Sequence, residues 1–329
     1  MKKFVFDESP VILKDFLNYM ETIRGKSKNT IKEYFYDLRV FFRFLKVYRN
    51  IIEPKTIAFE EITITDVDID LLKTVTLSDL YAFMSFMSRE RDNSASSRAR
   101  KVASIKSFFN YITNKAKLLK TNPASELETP KTQKRLPKYL TVDESMKLLS
   151  VISGKHSIRD FAIIILFLNC GMRLSELVGI NISNIKSDTL TIIGKGNKER
   201  TVYLNDACRE AIDNYLKVRP RDGVKDRNAL FLSERKQRIS NNMVQRIIKK
   251  YIIEAGLDPQ KYSTHKLRHT AATLMYKHGK VDIRVLQEIL GHESIATTEL
   301  YTHLDNEQLR DAVNSNPLSD YKSVKSDKY

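Results

Sequence analysis

Fixed cations and one hydroxyl nucleophile are enough, in principle, to break and remake a phosphodiester. The pentacoordinate phosphorus of such a reaction carries negative charge on its non-bridging oxygens, and either metal ions or fixed cations must meet it. The second half of this sequence is rich in suitable cations. Arg173 lies in Cys170-Gly-Met-Arg-Leu-Ser-Glu176, just after a glycine, where one apolar helix ends and another begins. A guanidinium is always charged and can bind two phosphate oxygens at once. His265 and Arg268 occur in Thr264-His-Lys-Leu-Arg-His-Thr270, three apart and therefore on one helix face. Leu290-Gly-His292 closes a helix at its glycine, and Tyr301 follows nine residues after His292. Taken singly, Arg173 reads as a surface arginine at a helix junction, and Tyr301 as a core residue among 15 tyrosines. Their order and their company single them out.

Other chemistries fit less well. Metal-dependent phosphoryl transfer uses clustered carboxylates. The densest acidic group, Asp66, Asp68 and Asp70, lies in the other half of the chain, in a stretch without periodicity. His265 and His269 have the i, i+4 spacing of a zinc helix, but no Glu follows the first His, and Lys266 and Arg268 between them would repel a metal. Cys170 follows an apolar helical run and reads as core. With Cys208 as the only other cysteine, no disulfide framework exists, which points to a reducing, cytoplasmic setting. Neither the carboxylates nor the histidines favour a metal site.

The elements that must position these residues can be read from periodicity and end signals. Ser9-Pro10 starts a helix that Gly25 stops. Ser27 opens a longer one, with Ile31, Tyr34, Phe35, Leu38, Phe41, Phe42 and Leu45 on one face. Residues 50–75 read as an irregular acidic connection. Further helices fit 78–89 and 94–114, the latter turning Val102, Ile105, Phe108, Phe109 and Ile112 inward and Arg98, Arg100, Lys101 and Lys106 largely outward as a basic face. This is a helical N-terminal domain, 1–119. Residues 120–138 carry Pro123, Pro130 and Pro137 with several Lys and Arg and read as an extended basic linker. A second domain, 139–329, opens on the capping box Thr141-Val-Asp-Glu144. Its helices fit 142–152, 157–170, 175–179, 205–219, 240–255, 265–278, 282–290 and 295–301. One β-hairpin, with strands at 189–193 and 201–204, interrupts them around the turn Gly194-Lys-Gly-Asn-Lys-Glu-Arg200, which presents Lys195 and Lys198.

The bulk numbers agree with a polyanion as partner. The chain has 329 residues, 56 Lys+Arg against 40 Asp+Glu, and a formal net charge of +16. A globular chain this basic points first to nucleic acid. No stretch of apolar residues is long enough to span a bilayer, and Asp7 and Glu8 interrupt any signal-peptide core, so no membrane association is expected.

The ordered set Arg173, Lys195, His265-x-x-Arg268, His292 and Tyr301 resembles the active-site signature of the tyrosine recombinases, and most closely that of the bacterial Xer type. The strings Gly-Lys-Gly-Asn-Lys-Glu-Arg, His-Lys-Leu-Arg-His-Thr and Leu-Gly-His are similar to theirs, as are the linker and the helical N-terminal half. The stretch near 50–76 is longer than the compact Xer pattern. The resemblance implies a mainly α, two-domain clamp: a SAM-like core-binding domain and a catalytic domain with a small β-hairpin or sheet. It implies a Tyr301 nucleophile forming a 3′-phosphotyrosyl bond, Arg173 and Arg268 on the non-bridging oxygens, and Lys195, with Lys198 as its rival, as acid toward the 5′-oxygen, with no metal and no organic cofactor. His265 would orient or deprotonate the tyrosine or support the phosphate, His292 would donate to a phosphate oxygen, and Glu176 would hold a cation in place. The implied partners are double-stranded DNA, a homo- or hetero-tetramer on two sites joined through a C-terminal helix near 305–314, a second recombinase and a DNA translocase. The implied biological roles are chromosome- or plasmid-dimer resolution and DNA integration. The same chemistry also serves type IB topoisomerases and hairpin-forming resolvases, and a regulator on this scaffold that has lost activity is the reading from another class.

Overall fold

The computed structural model describes residues 9–53, 57–131, 138–194, 199–279, 281–291 and Thr298. Lys195, His292 and Tyr301, together with the helices expected at 295–301 and 305–314, lie outside the described residues, apart from Thr298 itself. The chain divides into two compact units, Met1–Lys134 and Arg135–Tyr329.

The first unit is helical: α1 Val11–Thr22, α2 Lys28–Tyr48, α3 Ile69–Lys73, α4 Leu77–Arg89 and α5 Ala95–Asn110. Short polar side chains begin most of these helices by accepting otherwise unpaired backbone N–H groups. Ser27 accepts from Thr30, Asp68 from Leu71 and Ser94 from Ser97, while Thr76 and Asp79 form a reciprocal capping box. The aromatic stripe expected on α2 is core. Phe41 and Phe42 are fully buried with Phe16, Phe83, Phe108 and Phe109, and Phe41 meets Phe83 edge-on with ring centroids 5.2 Å apart.

Three expectations for this unit need correction. The basic face of α5 is in part turned inward. Lys101 is buried and pairs with the buried Asp37 at 3.0 Å, and Arg100 and Ser104 hold the other carboxylate oxygen. A charge can be buried when it is paired and hydrogen-bonded, and helical spacing alone does not reveal that Asp37 sits opposite. Residues 57–75 of the expected connection are also more ordered than their lack of periodicity suggests. They contain α3 and a 3-10 turn at Phe59–Glu61 and bury Ile62, Ile64, Val67 and Leu72. The stretch is tied to α2, where Lys46 donates to Asp66 and to the Thr63 carbonyl and Arg43 donates to the Ile62 carbonyl. Each member of the acidic trio is thus engaged in the fold. Asp66 pairs with Lys46, Asp68 caps α3, and Asp70 pairs with Lys73. Leu119, Ala124 and Leu127 pack into this unit's core, so the chain from 119 to 127 is folded against it rather than extended.

The second unit contains α6 Val142–Ser150, α7 Ser157–Cys170, α8 Leu174–Gly179, α9 Asp206–Val218, α10 Asn241–Glu254, α11 Thr264–Gly279 and α12 Ile283–Leu290. Its sheet has three antiparallel strands in the order β1 Ile185–Lys186, β2 Thr189–Ile193 and β3 Glu199–Tyr203. The two-residue β1 is too short to leave a periodic signal. Helix α7 is buried without a break from Ala162 to Leu168, as its apolar run requires, and it packs on α9 and α11. It ends at Gly171, whose φ of 57° is the left-handed conformation that glycine adopts without penalty. Cys170 and Cys208 are buried free thiols, as a core reading demands.

The hairpin carries one difference that matters for the site. β3 begins at Glu199, two residues before the expected start, so Arg200 is a strand residue paired with Ile192. Alternate strand residues share a face. Arg200 therefore lies on the same side of β3 as the buried Val202, and its side chain is 14% exposed.

Candidate active site

The site forms where α7 ends, α8 and α11 begin and α12 ends. Arg173 immediately precedes α8 in extended backbone, and Glu176 lies in that helix's first turn. The Glu176 carboxylate accepts from the Arg173 backbone N–H at 2.6 Å and from the Arg173 guanidinium at 2.7 Å. It also accepts from Arg200 at 3.0 Å, and Arg268 approaches to 3.7 Å. One buried carboxylate thus faces three guanidiniums from α8, β3 and α11. Burial pushes its pKa up, but the Arg173 N–H and the two guanidiniums outweigh that, and the net shift is downward. Glu176 is held as a carboxylate.

The same three arginines meet the end of α12. A helix leaves its last carbonyls without intrahelical partners. Here Ile289 O accepts from Arg200, Leu290 O from Arg268 at 2.6 Å, and Gly291 O from Arg173 at 2.8 Å. Arg268 also donates to Gly171 O at 2.6 Å, joining the end of α7 to the end of α12. Cations at a helix C-terminus are favoured by its dipole as well as by its free carbonyls. Gly291 takes φ 62° to end the helix, and His292 is the next residue in the chain. Two glycines allow the close packing: a Cβ on Gly171 would stand 2.8 Å from Leu290 Cδ2, and one on Gly291 2.8 Å from Arg200 Cδ.

His265 lies in the first turn of α11, one turn before Arg268. Its ring meets His269 edge-on at 4.5 Å between centroids. Surrounding protein, first, and then the charges of Arg268, Lys266 and Arg173 disfavour the imidazolium, so its pKa falls below the ordinary value. A neutral imidazole at neutral pH can accept a proton from a neighbouring hydroxyl or hydrogen-bond to an oxygen.

The structure therefore brings together Arg173, Glu176, His265 and Arg268. Lys195, His292 and Tyr301 lie outside the described residues. Their chain neighbours are described: β2 ends two residues before Lys195, β3 begins four residues after it, and Gly291 precedes His292. Arg200 is the participant that sequence reasoning missed. It ends the Gly-Lys-Gly-Asn-Lys-Glu-Arg string, and the available signal was strand alternation, since it is two residues from the apolar Val202. Among the described residues, no group of three or more His, Cys, Asp or Glu could hold a metal ion, and no helix is long and apolar enough to cross a membrane.

Comparison with known proteins gives consistent results. Residues 138–308 match the profile of the phage integrase family. The chain is 59% identical over 310 residues to tyrosine recombinase XerC of Caldanaerobacter subterraneus subsp. tengcongensis, covering 94% of this chain and 88% of that one. It is 35% identical to tyrosine recombinase XerC of Thermodesulfovibrio yellowstonii, covering 93% and 96%. Among solved structures it resembles the XerH site-specific recombinase bound to palindromic difH substrate in a post-cleavage complex, with TM-score 0.70, 25% identity and coverage of 92% and 84%.

Proposed function

This chain belongs to the phage integrase family of tyrosine recombinases, and on that premise we propose that it is a Xer-type enzyme that cuts and rejoins DNA strands at specific sites through Tyr301. The observation that carries the reading is the meeting of Arg173 and Arg268, far apart in sequence, at one carboxylate and at successive carbonyls directly before His292.

In the proposed reaction the Tyr301 hydroxyl oxygen attacks phosphorus and the P–O5′ bond breaks. The products are a 3′-phosphotyrosyl ester and a free 5′-hydroxyl. The tyrosine proton passes to His265 or to water, and Lys195 gives a proton to the departing 5′-oxygen. Arg173 and Arg268 neutralise the non-bridging oxygens, with His292 donating a further hydrogen bond. Glu176 keeps Arg173 oriented without touching the phosphate. The phosphotyrosyl ester conserves the bond energy, so rejoining by the incoming 5′-hydroxyl requires no nucleotide. No step calls for a metal.

One nucleophile per chain cuts one strand, so exchange between two duplexes takes four protomers. The first unit would act as a core-binding domain that adds its own contacts to the duplex. Working partners under this reading are double-stranded DNA, three further protomers of this chain or of a paralogue, and a DNA translocase. The setting is cytoplasmic, and the biological role is dimer resolution or integration.

Duplexes that the protein retains from a randomised pool, cloned as two copies in a supercoiled plasmid, give a direct test. Incubation in EDTA should yield deletion or inversion products. Relaxed circles without exchange, sealed hairpin ends, or bound but uncut DNA would contradict strand exchange.

A further inference from the structure

We infer that Arg200 is a positioning residue for this reaction, acting through Glu176 and the end of α12 rather than on the DNA. The inference rests on the strand-exchange reading above. Three guanidiniums surround Glu176, and two belong to the proposed phosphate-binding pair. The third, Arg200, comes from β3, the strand that follows Lys195 in the chain. Its two terminal nitrogens are both committed. One donates to Glu176 Oε2 at 3.0 Å, the other to the Ile289 carbonyl. Its Nε is buried and without a hydrogen-bond partner among the described residues, so those two donors hold the group. Its aliphatic stem lies against Gly291, where a Cβ would come within 2.8 Å.

One planar fork therefore ties three parts of the site together. Through Glu176 it sets the carboxylate that orients Arg173. Through Ile289 and Gly291 it sets the helix end from which the chain continues to His292. Through β3 it links both to the strand pair that flanks Lys195, the proposed acid, in the chain. Lysine cannot replace it, because an ammonium offers a point charge and not two divergent donors in one plane. Loss of Arg200 should loosen alignment more than it weakens binding, because affinity for a duplex is spread over many phosphate contacts.

The test compares wild type, Arg200→Gln, Arg200→Lys, Glu176→Gln and the Arg200→Gln/Glu176→Gln double variant on a nicked suicide duplex. Three quantities are read: thermal transition, DNA affinity, and single-turnover rate of covalent adduct formation. Both Arg200 variants should bind DNA within about twofold of wild type and form adduct about 10- to 100-fold more slowly, the same order as is lost when a residue that orients a metal ligand is removed. The double variant should be no slower than the slower single variant, because both changes disable one unit. Adduct formation at the wild-type rate in either Arg200 variant would overturn the inference. So would an affinity loss matching the rate loss, which would make Arg200 a DNA contact. Disappearance of the thermal transition in both variants would make it a folding residue and overturn it equally. The strand-exchange reading is judged separately: it fails if wild type forms no adduct, or if Tyr301→Phe still does.

Discussion

Glu176 is almost entirely buried, yet it keeps its charge because Arg173 and Arg200 bond to it and Arg268 stands close by. Its folded pKa is depressed, so the unfolded chain binds its proton more readily. The stabilisation it gives is present above the ordinary carboxylate range and is lost as pH falls through the folded value. Glu176→Gln should cost about 3–5 kcal/mol at neutral pH, the range for breaking a buried ion pair from one side. The melting-temperature gap from wild type should narrow as pH is lowered below that range. A gap independent of pH would contradict this electrostatic role. His265 is shifted downward by burial and by three neighbouring cations. Its imidazole in the free protein, followed by NMR, should titrate below the ordinary value of 6.5; a midpoint at or above it would contradict a neutral histidine at the site. That Arg173, Glu176, His265 and Arg268 would lie together was legible in sequence, because residue type and order carry it. Arg200 was not legible. Its role depends on the side of a strand it occupies, and a two-residue error in the strand start hid that.

At the scale of elements, the end of α12 is the junction to which the other parts are tied. The Leu-Gly-His string marked it as a helix end. What the sequence could not reveal is that three arginines from three elements would receive its last carbonyls. Gly291→Ala tests the junction. The left-handed φ of 62° costs a non-glycine residue about 1–2 kcal/mol, and the new Cβ would also press on Arg200. Gly25 has a similar φ of 58° but open space around it, so Gly25→Ala isolates the backbone cost. Gly291→Ala should lower the melting temperature further than Gly25→Ala and should slow adduct formation, which Gly25→Ala should leave unchanged. Equal effects would show that the Arg200 contact is unimportant. The capped helices with clear stripes, α2, α4 and α6, and the apolar run of α7 that stops at Gly171, were readable because local signals agree with burial. Helix α3 and β1 were not, since each is short and is held in place by tertiary contacts rather than by its own pattern.

Across the whole molecule, the net charge of +16 suggested a polyanion, but it overstates the free positive surface. Lys46, Lys101, Arg159 and Arg219 are buried and spend their donors on carboxylates or carbonyls. Charge that remains at the surface should still dominate affinity, because each neutralised phosphate releases counterions. The logarithm of the DNA dissociation constant should rise steeply and linearly with the logarithm of salt concentration, and a flat dependence would contradict phosphate-led binding. The division into two units was legible from the proline-rich basic stretch. The place where folding against the first unit stops was not, because Leu119, Ala124 and Leu127 are too sparse to form a pattern. The central claim, that the second unit presents Tyr301 to a phosphate held by Arg173 and Arg268, is tested most directly by trapping on a nicked suicide duplex in the presence of EDTA. Wild type should give a covalent protein–DNA adduct attached through Tyr301, as mapped by peptide mass spectrometry, and Tyr301→Phe should give none. An adduct that persists in Tyr301→Phe, or one mapped to another residue, would contradict it.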